Sequence, residues 1–370
     1  MTSTINPTST TFDPSTFDPT TVDEARMEEL AGRIITDVGA TVSAGLVYLG
    51  DRLGLYSGLA EGPATPAELA ERTGTSVVYV TPWLANQAAG GYVEYDAGSG
   101  QYSMTPEQVL AFVIEDGPAF FPGAFQLALA VLRDVPGFED RFRSGAGFGW
   151  HEHDAGLFEG TARFFRPGYV ANLVDSWLPA LDGVVPALRA GADVADWGCG
   201  HGVSTILMAQ AFERSRFTGS DYHEASIVAA RRKALEAGVQ DRVRFEVADA
   251  DSAPSTQYDL ITLFDCLHDM GDPAAAARAA RAALRPDGTL MVVEPAAGDH
   301  IEDNLNPVGR VFYGASTLVC TPSSLSQPGA AALGAQAGPA VLTGLLRDAG
   351  FSRVRIAVQT PVNLVIEAKH

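Results

Sequence analysis

The run Ala192-Asp193-Val194-Ala195-Asp196-Trp197-Gly198-Cys199-Gly200-His201-Gly202-Val203-Ser204 limits the possible folds of this chain more than any other stretch. A short apolar segment ends in an acid, and three glycines then alternate with other residues. Ser204 stands where it would cap an apolar helical segment, Thr205 to Phe212. Together these predict strand, tight turn, helix. Glycines at such a turn let backbone N–H groups approach a ligand, and the first turn of the helix follows at once. A dinucleotide fingerprint, G-x-G-x-x-G, would put its third glycine where Val203 stands. The spacing here is Asp196-x-Gly198-x-Gly200-x-Gly202, which disfavours a nicotinamide dehydrogenase.

The intervals that follow repeat the unit. Arg216 to Asp221 reads as a second strand ending in a carboxylate, His223 to Ala237 as a helix, and Asp241 to Asp249 as a third strand ending in Ala-Asp. An acid at the end of the second strand can accept hydrogen bonds from ribose hydroxyls, and Tyr222 directly after it can pack on a base. Strands ending in Asp196, Asp221 and Asp249 make a carboxylate-rich site, which suits a cationic ligand and repels pyrophosphate. Tyr258 to Met270 is a fourth strand running into its loop, and Ala283 to Pro295 a turn and fifth strand. Ligands of doubly wound sheets sit at the carboxyl ends of the strands, so Phe264 to Asp269 is expected to face the site. After an insertion to about Gly338, Val341 to Asp348 reads as a helix, and Val354 to Val358 with Asn363 to Ala368 as a closing antiparallel hairpin.

These motifs resemble class I S-adenosylmethionine (SAM)-dependent methyltransferases. The resemblance implies an α/β fold, a Rossmann-like seven-stranded sheet with its last hairpin antiparallel, behind an N-terminal, mainly helical winged-helix dimerisation domain. It implies SAM as cofactor and S-adenosylhomocysteine as product, held by Asp196, Gly198, Gly200, Gly202, Asp221, Tyr222, Asp249, Ala250, Phe264 and Asp265. Leu267-His268-Asp269 resembles the Leu-His-Asp-Trp segment of O-methyltransferases, with Met270 in place of the tryptophan. That segment implies His268 as general base, its ring oriented by Asp269 or Glu294. Methyl transfer from a sulfonium is an in-line displacement, so alignment and desolvation carry most of it, and a hydroxyl acceptor needs a base as well. The runs Asp265 to Pro273, Asp303 to Arg310 and Ser316 to Pro322 look like an actinobacterial group of such enzymes whose acceptors are largely unassigned. A small-molecule acceptor, methylated on oxygen, is the leading expectation. Transfer to carbon or nitrogen, a SAM-binding relative without methyl transfer, and a ligand-sensing regulator with a DNA-binding winged helix are the alternatives.

Upstream, residues 1–20 are Thr, Ser, Pro and Asp with two Thr-Phe-Asp-Pro copies, a composition expected to stay disordered. Residues 21–115 read as the winged-helix unit. Asp37 to Gly58 is expected to be helical. Thr65-Pro66 starts a helix that Gly74 closes, Ser76 to Ala89 is the would-be recognition helix, and Gly91 to Tyr95 with Gln101 to Met104 forms the wing. The recognition helix holds no Lys or Arg, and the chain carries a net charge of −20, so no nucleic-acid partner is expected. Residues 116–185 read as linker helices that line the acceptor pocket. Helix from Phe158 to Leu181 is interrupted at Pro167, and Trp150, His151, His153, Phe164, Phe165 and Tyr169 are pocket candidates. The catalytic domain spans 186–370, with 296–338 as a lid-like insertion that offers Tyr313 to the acceptor. His151, His153 and Asp154 could ligate a metal, as could His268 with Asp269 and another residue, but none is expected. Three widely spaced cysteines indicate neither a disulfide framework nor a zinc cluster. No uninterrupted apolar run reaches about 18 residues, and no basic segment precedes an apolar one at the N-terminus. A cytoplasmic homodimer with no membrane association is expected.

Overall fold

The computed structural model describes residues 16–249 and 257–370. The predicted disordered tail therefore lies mostly outside the described residues, and Ala250 does as well.

Near the N-terminus, Asp23 caps a long helix, Glu24–Arg52, through its carboxylate. The predicted helix Asp37 to Gly58 is thus extended at one end and broken at the other, because Gly54 takes φ 68° and starts a new short helix, Leu55–Ala60. By length and composition alone, an 18-residue window of helix Glu24–Arg52 is apolar enough to cross a membrane. Its C-terminal half packs inward through Ala44, Val47 and Gly50. Thr65 and Glu68 form the reciprocal capping box of helix Pro66–Thr73, and Gly74 ends it at φ 63°. Helix Val77–Ala89 follows, tied to the first helix by Trp83 Nε1–H donating to the Leu46 carbonyl at 2.9 Å. The hairpin β1 (Glu94–Asp96) and β2 (Gln101–Ser103) is the wing.

Two helices, Pro122–Asp134 and Gly156–Asn172, pack closely because glycine replaces side chains at the crossing. A Cβ on Gly160 would stand 2.7 Å from Leu127 N, and one on Gly123 would stand 2.6 Å from the Arg163 carbonyl carbon. That packing holds Gly156–Asn172 continuous through Pro167, where the sequence predicts an interruption.

The rest of the chain is a seven-stranded sheet. Its strands are β3 (Asp193–Trp197), β4 (Arg216–Asp221), β5 (Val243–Val247), β6 (Tyr258–Phe264), β7 (Leu284–Pro295), β8 (Arg353–Gln359) and β9 (Asn363–Lys369). The order is β5-β4-β3-β6-β7-β9-β8, parallel except for the pairings of β9 with β7 and β8. The predicted antiparallel closing hairpin is present. Central strands are apolar on both faces, as β6 shows with Leu260, Ile261, Leu263 and Phe264 all buried, because helices cover both sides. Helix Pro273–Ala283 lays Ala276, Ala277, Ala280 and Ala283 into one of these layers, together with Leu342 and Leu346. The chain order reverses between β3 and β6, so a crevice opens at the carboxyl ends of these two strands, the usual ligand position of such sheets.

Candidate active site

A cavity of about 420 Å³ occupies that crevice. One wall is the glycine turn. Gly198, Gly200 and Gly202 have φ of 71°, 51° and 74°, a region open to glycine at little cost. Gly198 also lies against Cys266, whose Sγ would be 2.7 Å from an added Cβ. The turn is pinned to β4. Gly198 N–H and Cys199 N–H both donate to the Ser220 carbonyl, and Gly200 N–H donates to Asp221 Oδ2 at 2.9 Å. The other Asp221 oxygen accepts from His223 N–H at 2.8 Å. Burial raises the Asp221 pKa against these two N–H donors. Gly198, Gly200, Asp221, Tyr222, Asp249, Phe264 and Asp265 all line the cavity, joined by Cys199 and His201.

Two predicted cofactor residues sit elsewhere. Asp196 is 1% exposed and lies behind the turn, where Ser204 Oγ–H, Thr205 Oγ1–H and Thr262 Oγ1–H donate to it at 2.7, 2.5 and 3.0 Å. Burial raises its pKa despite these hydroxyls. Ser204 therefore does not cap the helix, which runs Val203–Ala211 from Gly202 with no side-chain cap. Gly202 is also absent from the cavity wall: a Cβ there would meet Phe245 Cζ at 2.5 Å, so its glycine serves internal packing.

The opposite wall is aromatic. Helix Gly156–Asn172 contributes Phe158, Phe165 and Tyr169, and the short turn Trp150–Glu152 contributes Trp150 and His151. Phe165 stacks on Tyr169 with ring centroids 5.9 Å apart, and Tyr169 tilts against Phe264 at 5.2 Å. Tyr169 O–H donates to Asp265 Oδ2 at 2.8 Å. Asp265 holds a left-handed backbone, φ 50°, and its other oxygen is buried with no hydrogen-bond partner. Burial, reinforced by the nearby Glu294 charge, pushes its carboxyl up to about 8. A non-glycine residue held in this conformation at a pocket wall is the kind of strain that active sites retain.

Three predicted acceptor contacts, His153, Phe164 and Tyr313, lie off the cavity wall. His153 is buried beneath the wall, its Nδ1 2.8 Å from Asp134 Oδ2, and does not line the cavity. Tyr313 lies on helix Pro307–Ala315, also off the cavity. The suggested metal set His151, His153 and Asp154 does not converge: His151 is exposed, His153 pairs with Asp134, and Asp154 pairs with Arg133 at 3.0 Å.

The catalytic candidates form one buried cluster just after β6. His268 lies on the short helical turn Leu267–Asp269 and is 3% exposed. Its Nδ1 is hydrogen-bonded to Glu294 Oε2, from β7, and the other Glu294 oxygen accepts from Leu267 N–H at 3.0 Å. Its Nε2 stands 3.1 Å from Asp269 Oδ1. Glu294 is thus the residue that fixes the ring, and Asp269 separates the ring from the cavity: Asp269 lines it, whereas His268 and Glu294 do not. Burial opposes a charge on the His268 ring, but the Asp269 and Glu294 carboxylates together hold its pKa well above the usual value.

Residues 321–328 close this end of the cavity with Ser323, Ser326, Gln327 and Pro328, none of which the sequence singles out. Gln327 Nε2–H donates to the Asp269 carbonyl at 2.9 Å, and its Oε1 accepts from Gly271 N–H at 3.1 Å. The only sequence signal for this wall is the position of the insertion after β7.

Comparison with known proteins agrees with this geometry. Residues 188–335 match the family described as a methyltransferase domain, and residues 41–113 match the Rv2258c-like winged HTH domain. The 27-O-demethylrifamycin SV methyltransferase of Amycolatopsis mediterranei is 34% identical over 169 residues, 44% of this chain and 57% of that protein. The ubiquinone biosynthesis O-methyltransferase of Bordetella avium is 34% identical over 129 residues, 34% of this chain and 51% of that protein. The chain thus spans about half the length of these curated relatives. Human N-acetylserotonin methyltransferase in complex with SAM shares the fold at TM-score 0.69 and 17% identity, covering 95% of this chain and 99% of that one. A putative O-methyltransferase from Nostoc punctiforme does so at TM-score 0.67 and 17% identity, covering 91% and 98%. Residues 188–335 are thus similar to methyltransferase domains and residues 41–113 to a winged helix-turn-helix domain, and the chain shares its fold with the solved methyltransferases.

Proposed function

We propose that the chain transfers a methyl group from SAM to a hydroxyl of a small, largely apolar acceptor. One observation carries the reading: a single cavity runs from the glycine turn to the aromatic helix, with Asp269 on its wall and His268 directly behind. The adenosine end of SAM fits the side lined by Asp221, Tyr222 and Asp249. Its cationic sulfonium suits this acidic wall and favours ionisation of the Asp265 carboxyl. The acceptor takes the side of Trp150, Phe158 and Phe165, which desolvate it and hold its oxygen in line with the methyl group. The acceptor's proton passes to the Asp269–His268 pair when the ring, fixed by Glu294, is neutral, a form the two flanking carboxylates disfavour, so transfer is expected to rise with pH. The names of the relatives, a 27-O-demethylrifamycin SV methyltransferase and a ubiquinone biosynthesis O-methyltransferase, support oxygen as the acceptor atom.

The apolar face left on helix Glu24–Arg52 supports a homodimer. Met27, Leu30, Ile34, Val38 and Val42 recur at helical spacing and are all exposed. A DNA-reading role has less support, since the outward residues of helix Val77–Ala89, namely Val77, Val78, Tyr79, Thr81, Pro82, Ala85 and Ala89, include no cation.

The test is turnover with SAM and a panel of phenols and alcohols, comparing wild type with His268→Asn. The variant is expected to lose about 10²–10⁴-fold in transfer rate while binding S-adenosylhomocysteine as wild type does. A variant that transfers at the wild-type rate contradicts the assignment of the base.

A further inference from the structure

We propose that His268, Asp269 and Cys320 form a binding site for a zinc-like divalent cation, and that its occupation shuts off methyl transfer. The inference rests on the proposed function only for its second half. Cys320 belongs to the Ser316 to Pro322 run that the cofactor and acceptor sites leave unused. It closes a π-helical turn, Ser316–Cys320, before helix Thr321–Leu325. Such turns are rare and recur at functional sites. This one brings the buried Cys320 side chain to the His268 cluster from across the insertion.

His268 Nε2, Asp269 Oδ1 and Cys320 Sγ lie within 4.8 Å of one another. Around a tetrahedral ion with ordinary zinc bond lengths, such atoms stand about 3.3–3.8 Å apart, so side-chain rotations of modest size complete the site. Asp269 Oδ1 is buried beside Nε2 yet makes no hydrogen bond of acceptable geometry. Glu294 on His268 Nδ1 supplies the carboxylate that metal-bound histidines ordinarily carry, leaving Nε2 as the coordinating atom. A nitrogen, a carboxylate oxygen and a sulfur make a borderline-soft set, matched to zinc or cobalt and mismatched to magnesium or calcium. Three protein ligands leave a fourth position, on the side where Asp269 meets the cavity. Burial, with the Asp269 charge beside it, pushes the Cys320 thiol up to about 12, and a bound cation would release that proton.

Binding balances simply. The cation gains three bonds, and the S–H proton of Cys320 and any Nε2 proton of His268 leave to solvent. The Nδ1–H of His268 keeps donating to Glu294. The lone pair that would receive the acceptor's proton is then held by the metal, so metal binding and base catalysis exclude one another.

The experiment is cobalt titration of the metal-stripped full chain, followed by its absorption spectrum, and zinc competition against a chromophoric chelator. Both are run on wild type and Cys320→Ser. Wild type is expected to bind one equivalent with a thiolate-to-cobalt charge-transfer band. Cys320→Ser is expected to lose that band, which also separates this thiol from Cys199 and Cys266. Glu294→Gln is expected to weaken zinc about 10–100-fold and keep the band. In turnover, zinc is expected to inhibit wild type, whereas Cys320→Ser transfers methyl at the wild-type rate and resists zinc. A folded wild type without the band, or a Cys320→Ser variant binding zinc equally well, overturns the site. Zinc that accelerates transfer overturns the inhibitory role. The spectroscopic arm decides the site even for a chain that transfers no methyl group.

Discussion

At the scale of single residues, Asp196 separates two roles that one motif suggests for the same side chain. The acid before the glycines reads in the sequence as a cofactor ligand, yet three buried hydroxyls take up its carboxylate behind the turn. Removing it strands those donors in the interior, and each buried unsatisfied group costs about 1–3 kcal/mol. Asp196→Ala is therefore expected to lose about 2–5 kcal/mol of stability in urea unfolding, with cofactor affinity per folded molecule little changed. An Asp196→Ala protein of wild-type stability that no longer binds S-adenosylhomocysteine would return the residue to direct contact. The sequence could not separate these roles because Thr262 reaches Asp196 from β6, 66 positions away. His153 is misplaced for the same reason, since its partner Asp134 belongs to another helix. Where a residue's role is set by its own backbone, as for Gly198 and Gly200, the sequence is sufficient.

At the scale of elements, strands and turns were legible because their signals are local. The alternation of helix and strand from Asp193 onward, the capping box at Thr65 and the closing hairpin are all short-range patterns. The first helix is the instructive failure. A scan for unbroken apolar residues stops at each charge, whereas the helix distributes Met27, Leu30, Ile34, Val38 and Val42 along one face. The other partner of that face is, in our reading, a second copy of the chain. Replacing Ile34 and Val38 together by glutamate is expected to convert a dimer to a monomer in light scattering after gel filtration. Wild type eluting as a monomer would contradict the dimer reading outright. The wall formed by residues 321–328 was hidden from sequence because Gln327 meets the Asp269 loop across 58 positions, with no motif at either end.

At the scale of the whole molecule, the sheet, the linker helices and the insertion meet at one cavity. The sheet supplies the glycine turn and three carboxylates, helix Gly156–Asn172 supplies the aromatic wall, and the insertion supplies the floor that clamps the His268 loop. No single segment lines the cavity, which explains why the strand-end residues on its wall were legible in the sequence and the opposite wall only partly so. The claim on which the rest depends is that the cavity takes an S-adenosyl ligand. Calorimetric titration of the full chain with S-adenosylhomocysteine tests it directly, with NADH as the control. The account predicts saturable binding at one site per chain in the micromolar range, and no heat from NADH. A folded sample that gives no heat with S-adenosylhomocysteine would contradict it.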